Sequence, residues 1–221
     1  MLVPNRLVMA PMDTNFADYE GKVSEKMLAY YETRAKGGVG LVIVENSQIE
    51  GPRGKNTIRQ LCVSDDRFIP GLKRLVYAIH KYDIPAVLQL HHAGRQTTRE
   101  ITGGLQPVAP SPVPCGHMKE RPRELALDEI EEIEDRFAKA AVRAREAGFD
   151  GVEIHGAHGF LIGQFMSPYT NKRKDAYGGD FEGRMRFPLQ IIEKVRAAVG
   201  PDFPVLFRFS VDEFIKGGIN L

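Results

Sequence analysis

An α/β fold on a parallel sheet is predicted by three features of this 221-residue chain. Short β-rich runs alternate with long amphipathic segments, the runs are nearly continuously apolar, and the connections are long enough to hold helices. Parallel strands covered by helices read as unbroken apolar runs, and strand–helix alternation is the signature of βαβ units.

The elements follow in chain order. Residues 7–12 form the first strand, and residues 24–36 a helix closed by Gly37-Gly38. Residues 39–44 are the second strand. Leu72, Leu75, Val76 and Ile79 then fit the i, i+3, i+4, i+7 helical template, and residues 86–90 are the third strand. A longer helical stripe runs through Ile130, Ile133, Phe137, Ala140, Ala141, Ala144 and Ala147. Its other face carries Glu131, Glu132, Asp135, Lys139 and Arg143, with Asp128 the expected cap and Gly148 the stop. Residues 151–154 are the fourth strand. Ile191, Ile192, Val195 and Val199 mark a helix ended by Gly200-Pro201, and residues 204–209 are the fifth strand.

Two parallel architectures compete. A doubly wound sheet normally carries a Gly-rich phosphate turn after an early strand, and neither Gly-x-Gly-x-x-Gly nor a P-loop pattern occurs here. Instead, polar groups follow every strand: Thr14; Glu45 and Asn46; Gln89, His91 and His92; His155 and His158; Arg208 and Ser210. Chemistry gathered at the C-terminal ends of several strands is the habit of the TIM (β/α)8 barrel. A barrel needs eight strands and about 250 residues. Five strand–helix units therefore predict that residues 1–221 are a partial barrel domain, the first part of a longer one. The connection 94–127, with five prolines from Pro107 to Pro122, reads either as a lid over the barrel mouth or as a surface insertion.

Composition narrows the function. Lys and Arg number 30 against 29 Asp and Glu, so no basic excess exists to clamp a nucleic acid. No apolar run approaches the ~20 residues of a membrane span. No charged segment leads into an apolar stretch at the N-terminus, so no signal peptide is expected. Cys62 and Cys115 are too few for a disulfide framework or a four-cysteine metal site. The expectation is a cytoplasmic protein acting on a small molecule, with no nucleic-acid or membrane partner and with homo-oligomerisation left open.

The sharpest motif spans residues 148–162, GFDGVEIHGAHGFLI. His155 sits at a strand end and His158 three residues later. The pair can donate two hydrogen bonds to one substrate oxygen, can ligate a metal with Glu153 or His91 completing the set, or can be satisfied structural histidines. Gln89 and Arg208 are polar residues inside apolar strands. Each needs a partner when buried.

This segment resembles the histidine-pair segment of the old yellow enzyme family, the FMN-dependent NAD(P)H:flavin oxidoreductases and enoate reductases. Four further stretches are similar to the family: Asn5 to Met12 with Thr14-Asn15, Gly40 to Glu45, Leu88 to Arg95, and Phe207 to Ser210. Ser167-Pro168 to Asn171, Arg173, Asp175, Tyr177-Gly178-Gly179, Arg184 and Arg186-Phe187 resemble its signature after the fourth strand. The resemblance implies a TIM barrel with FMN at its mouth and NADH or NADPH as reductant. It implies that Pro11, Met12, Thr14 and Asn46 lie near the isoalloxazine. Gln89 would meet the flavin N3–H and O2 edge, and Arg208 the N1/O2 region, where a positive charge favours the reduced anion. His155 and His158 would hold the substrate carbonyl, as catalytic residues of an ene-reductase acting on α,β-unsaturated carbonyls or enoates. Arg173, Asp175, Arg184 and Arg186 are expected to brace their loop. One departure matters: Phe160 stands near the substrate, where the family commonly has the tyrosine that protonates the substrate α-carbon. The alternatives are a metal-dependent TIM-barrel hydrolase or lyase using His155 and His158, and an inactive truncated fragment.

Overall fold

The computed structural model describes residues 1–220 and contains the predicted parallel sheet. Its elements in order are β1 (Val8–Met9), α1 (Glu25–Lys36), β2 (Leu41–Gln48), α2 (Ile69–His80), β3 (Ala86–His91), β4 (Val108–Ala109), β5 (Arg123–Glu124), α3 (Leu127–Glu146), β6 (Gly151–Gly156), α4 (Leu161–Met166), α5 (Phe181–Val199) and β7 (Val205–Phe209). Five strands pair in parallel in the order β1-β2-β3-β6-β7. Sequential strands lie side by side and each crossover carries a helix, which is how a TIM barrel is wound.

The helices form where the apolar spacing places them. Ser24 caps α1 by accepting a hydrogen bond from Met27 N, and Met27, Tyr31 and Ala35 make its buried stripe. Leu72, Leu75, Val76 and Ile79 are all buried on α2. The predicted cap of α3 is corrected. Helix α3 begins at Leu127, so Asp128 lies within its first turn. The free N–H of Ala126 is instead taken by the Glu129 carboxylate, 3.0 Å away, which Arg123 holds from the other side. An acid three residues into the helix can reach back to the cap position, and Asp128 is one residue too early to do so. Gly148, at φ +93°, ends the run as expected.

Alternation within the strands separates two cores. Val42, Val44, Leu88, Leu90, Val152 and Ile154 join the large core under the helices. Leu41, Ile43 and Val87, with Leu206 packed against them, form a second, small cluster on the other face of the sheet. With a side-chain period of two, Gln89 and His91, Glu153 and His155, and Arg208 continue that inner face toward the C-terminal ends of their strands.

The two largest differences between strand bounds and periodicity are at β1 and β2. β1 pairs with β2 only at Val8 and Met9. It is an edge strand, and Pro11 has no N–H to extend a ladder. β2 runs four residues past its apolar stretch, through Glu45, Asn46, Ser47 and Gln48, all buried. The loop at residues 61–63 satisfies this polar extension: Gln48 N donates to Leu61 O (2.9 Å) and Val63 N to Gln48 O (3.0 Å). The segment 94–127 contains the two-stranded ribbon β4–β5. Arg173 pins it from below, its Nη1 donating to Pro110 O (3.1 Å) and Leu125 O (2.7 Å), while Asp175 neutralises the guanidinium at 2.6 Å. Arg184 and Arg186 likewise donate to loop carbonyls, at Gly179 and Ala176. No described helix is long and apolar enough to cross a membrane.

Candidate active site

Parallel pairing brings the inner-face polar residues together. Gln89 is in register with Glu153, and His155 with Arg208. Glu153 Oε1 accepts from Gln89 Nε2 at 2.7 Å and from Arg208 Nε at 2.9 Å. A carboxylate only accepts, so Gln89 must present its amide nitrogen to Glu153 and keep its oxygen for something else. Gln89 Oε1 and Arg208 Nη1 make no hydrogen bond among the described residues, which leaves one acceptor and one donor beside a shared anchor. Gly156 allows the neighbouring strand to close in here; a Cβ would lie 2.6 Å from the Phe207 ring and 3.0 Å from Arg208 O.

The two histidines follow at the top of β6. His155 Nδ1 accepts from Ala157 N (3.2 Å), so its proton sits on Nε2. That Nε2 lies 3.3 Å from His158 Nδ1, which places the His158 proton on Nε2 as well. Burial, then the nearby His158 and Arg208 charges, pull the His155 pKa down to about 3. Burial and Arg208 also lower His158. Both rings are therefore neutral N–H donors near pH 7. His158 adopts φ +58° and Gly159 φ +70°. This left-handed turn is fixed by His158 N donating to Ser210 Oγ (3.0 Å) and Gln96 Nε2 donating to His158 O (2.6 Å). Phe160 is half-buried at the head of α4, its ring edge-on to His91 (4.3 Å between centroids) and His155 (5.0 Å).

The remaining expected cofactor residues form a second group at the ends of β1 and β2. Pro11 is half-buried and Met12 exposed. The Thr14 hydroxyl donates to Glu45 Oε2 at 2.6 Å. Asn46 is buried, with Nδ2 on Asn56 Oδ1 (2.9 Å) and its carbonyl oxygen on Gln60 Nε2 (2.8 Å). Glu45, a polar strand-end group in the sequence, had no role assigned to it there. It is fully buried, Tyr31 OH also donates to its Oε2 (3.0 Å), and its Oε1 has no partner.

Burial pushes the Glu45 pKa up to about 7, against the hydrogen bond from Thr14. A carboxyl raised in the folded state stabilises fully below its unfolded value near 4.5, and that contribution is lost as pH rises through about 7. Glu45→Gln is expected to flatten this loss, which is worth at most roughly 3 kcal/mol. Urea midpoints at pH 5 and pH 8 measure it. A variant with the same pH dependence as the parent would show that Glu45 ionises like an ordinary carboxylate.

A parallel, curled sheet with helices outside and a polar, histidine-bearing mouth at the strand ends defines a TIM-barrel enzyme, built here from five of its strands. Residues 1–221 match the NADH:flavin oxidoreductase / NADH oxidase family, and the chain belongs to that family. It is 57% identical over its whole length to an NADH oxidase from Thermoanaerobacter brockii, of which it spans 34%. It is 42% identical to an NADPH dehydrogenase from Clostridium acetobutylicum, spanning 64% of that protein. Among solved structures, it is similar to morphinone reductase in complex with tetrahydroNAD, with a TM-score of 0.89 and 33% identity over 99% of this chain and 63% of the other. It is also similar to a 2-naphthoyl-CoA reductase complex, with a TM-score of 0.94 and 33% identity over 99% of this chain and 35% of that one. The chain thus spans about a third of the NADH oxidase it matches. Family membership sets aside the metal-hydrolase alternative.

FMN is the cofactor this family implies, and the residues present fit it. The free acceptor on Gln89 and free donor on Arg208 complement the N3–H and N1/O2 atoms of an isoalloxazine edge.

Proposed function

We propose that the protein containing this chain is an FMN-dependent NAD(P)H oxidoreductase that reduces the carbon–carbon double bond of α,β-unsaturated carbonyls or enoates. The observation that carries this reading is the layering of the inner face. Above the apolar layer of Leu41, Ile43 and Val87 comes the Gln89–Glu153–Arg208 cluster, and above that the His155–His158 pair. When bound, FMN supplies the centre that accepts hydride from NAD(P)H and gives it up to the substrate. Gln89 and Arg208 hold its pyrimidine edge, and the Arg208 charge favours the reduced form. Pro11, Met12, Thr14 and Asn46 line the side of the ring nearest β1 and β2. His158 donates from its unengaged Nε2 to the substrate oxygen, and His155 Nε2–H joins it when that oxygen displaces the 3.3 Å contact with His158 Nδ1, so negative charge developing there meets two N–H groups. The segment 94–127 supports a lid role, because Pro114, Cys115 and His117 share a cavity wall with His158.

The test uses the full-length protein. Bound FMN should be bleached anaerobically by NADH or NADPH and recoloured by cyclohex-2-enone. A flavin that is bleached but not recoloured would remove the ene-reductase part of the proposal and leave the oxidoreductase part.

Phe160 carries no proton to give. Protonation of the α-carbon then falls to water reaching the exposed side of His158 and the half-exposed Phe160. Phe160→Tyr is expected to speed recolouring by a cyclic enone, toward the lower end of the ~10²–10⁴-fold typical of general acid catalysis. It should also introduce a solvent isotope effect tied to the new hydroxyl. Equal stopped-flow rates in the two proteins would mean that water already suffices.

A further inference from the structure

The described residues include two arginines that are buried outright, Arg95 and Arg173. Arg173 has the partners such burial demands, with Asp175 across its Nε and Nη2. Arg95 has no carboxylate within ion-pair distance among the described residues. Its Nη1 donates to Val113 O (3.2 Å) and Pro114 O (2.9 Å), its Nε is buried without any partner, and its Nη2 makes no hydrogen bond. The residue is only 9% exposed. A guanidinium taken from water without a counter-charge is costly unless something else completes it.

Arg95 opens on a cavity of about 420 Å³, within the size range of small-molecule sites. His158, His117, Tyr169 and Ser210 share its wall. The Tyr169 ring lies 5.8 Å from the guanidinium carbon and can stack a flat or cationic group, but offers no charge. The two acids of the cavity make their hydrogen bonds elsewhere, and Glu213 attracts the guanidinium without contacting it. Asp212 accepts from Phe214 N (2.6 Å), and Glu213 accepts from Ile219 N (2.8 Å) and the Ser167 hydroxyl. The cavity therefore joins a buried cation with no directly paired carboxylate to the histidine assigned above to the substrate oxygen.

We propose that Arg95 forms an anion subsite, which takes a carboxylate or phosphate carried by the molecule that reaches the His155–His158 pair. The reading rests on the proposed function only for what the histidines hold. The Arg95 subsite itself stands on its own geometry. Burial holds the Arg95 pKa below its ordinary value, the direction expected of a cation short of a counter-ion. The anion has two sources, an acidic group on the reducible substrate or the pyrophosphate of the nicotinamide nucleotide.

The experiment uses the full-length, FMN-loaded protein and Arg95→Gln, which keeps a donor for the loop carbonyls and removes the charge. The readouts are KM for a neutral cyclic enone, KM for the same enone bearing a carboxymethyl group, and the Kd of NADH from anaerobic flavin reduction. Loss of a charge-assisted hydrogen bond should raise the ratio of carboxylated to neutral KM about tenfold or more. If the Kd of NADH rises tenfold instead, the subsite stands and its anion is the nucleotide phosphate. Calorimetric titration with glutarate and with inorganic pyrophosphate supplies a readout independent of turnover. Binding of either by the parent and its loss in Arg95→Gln support the subsite even if no enone is reduced, the result that would overturn the ene-reductase reading alone. An unchanged ratio, an unchanged Kd and no Arg95-dependent binding of either anion, in a variant that keeps its flavin, overturn the proposal.

Discussion

Replacing His155 with alanine in the full-length protein is expected to slow enone reduction by ~10²–10³-fold, about 3–4 kcal/mol of transition-state stabilisation. The estimate follows from geometry. Ala157 N occupies His155 Nδ1, so Nε2 is the only proton-bearing nitrogen of the neutral ring and points at His158. The backbone hydrogen bond fixes the ring, so a substrate oxygen that takes the place of His158 Nδ1 meets an N–H already in position when charge develops on it. Because the His155 pKa is pulled to about 3, the loss should be constant from pH 5 to pH 8. A cationic donor with an ordinary pKa would give a loss that titrates. FMN content should change little, because the flavin edge is assigned to Gln89 and Arg208. His155→Asn, which keeps a short N–H donor, is expected to recover part of the rate. Stopped-flow recolouring by cyclohex-2-enone measures the rate, and the absorbance shift on adding a phenol reports binding at the pair. If His155→Ala loses flavin in proportion to its lost rate, the residue anchors the cofactor and the donor assignment is wrong.

Glu153→Gln should separate flavin affinity from flavin potential. The parent carboxylate is 5% exposed and binds both Gln89 Nε2 and Arg208 Nε through one oxygen. Its replacement removes the counter-charge of Arg208 and lets the Gln89 amide turn over, since an amide partner can donate as well as accept. Weakening charged hydrogen bonds by ~1.5–3 kcal/mol corresponds to a rise of about 10- to 150-fold in the Kd of FMN. The uncompensated Arg208 charge simultaneously favours the reduced, anionic flavin, so the reduction potential is expected to become more positive. Weaker binding with a higher potential is a combination that general loosening of the barrel does not produce. Apoprotein titration with FMN and dye equilibration measure the two quantities. A potential that falls or stays fixed would mean that Glu153 does not govern the charge at the flavin edge.

The sequence located the polar strand ends because a glutamine or arginine inside an apolar run is conspicuous. Gln89 and Arg208 stood out for that reason, and His155 and His158 for their spacing. Glu153 was visible only as a possible third metal ligand. Its link to Gln89 and Arg208 depends on which strands are neighbours and in what register, and no local pattern encodes either. The same holds for Arg95, which looks like an ordinary turn arginine until burial removes it from water. Glu45 and Asn46 were visible as polar groups after the second strand, but their place inside β2 was not, because periodicity detects apolar residues and this stretch is buried through hydrogen bonds to a distant loop.

The sequence by itself determined the order and type of the main elements, the parallel sheet and the chemical inventory of its mouth. Those follow from apolar period and residue type, which are local. Spacing alone left three roles open for the histidine pair, and the family resemblance pointed to donors to a substrate oxygen. Only the tertiary structure decided which atoms of that inventory are spent on each other and which are left for a ligand. Strand pairing sets Gln89, Glu153 and Arg208 side by side, and a backbone N–H sets the His155 tautomer. The loop 113–114 buries Arg95 without giving it a counter-charge. Burial and hydrogen-bond completion are properties of assembled neighbours, and a buried polar atom without a partner marks where a ligand is still to come.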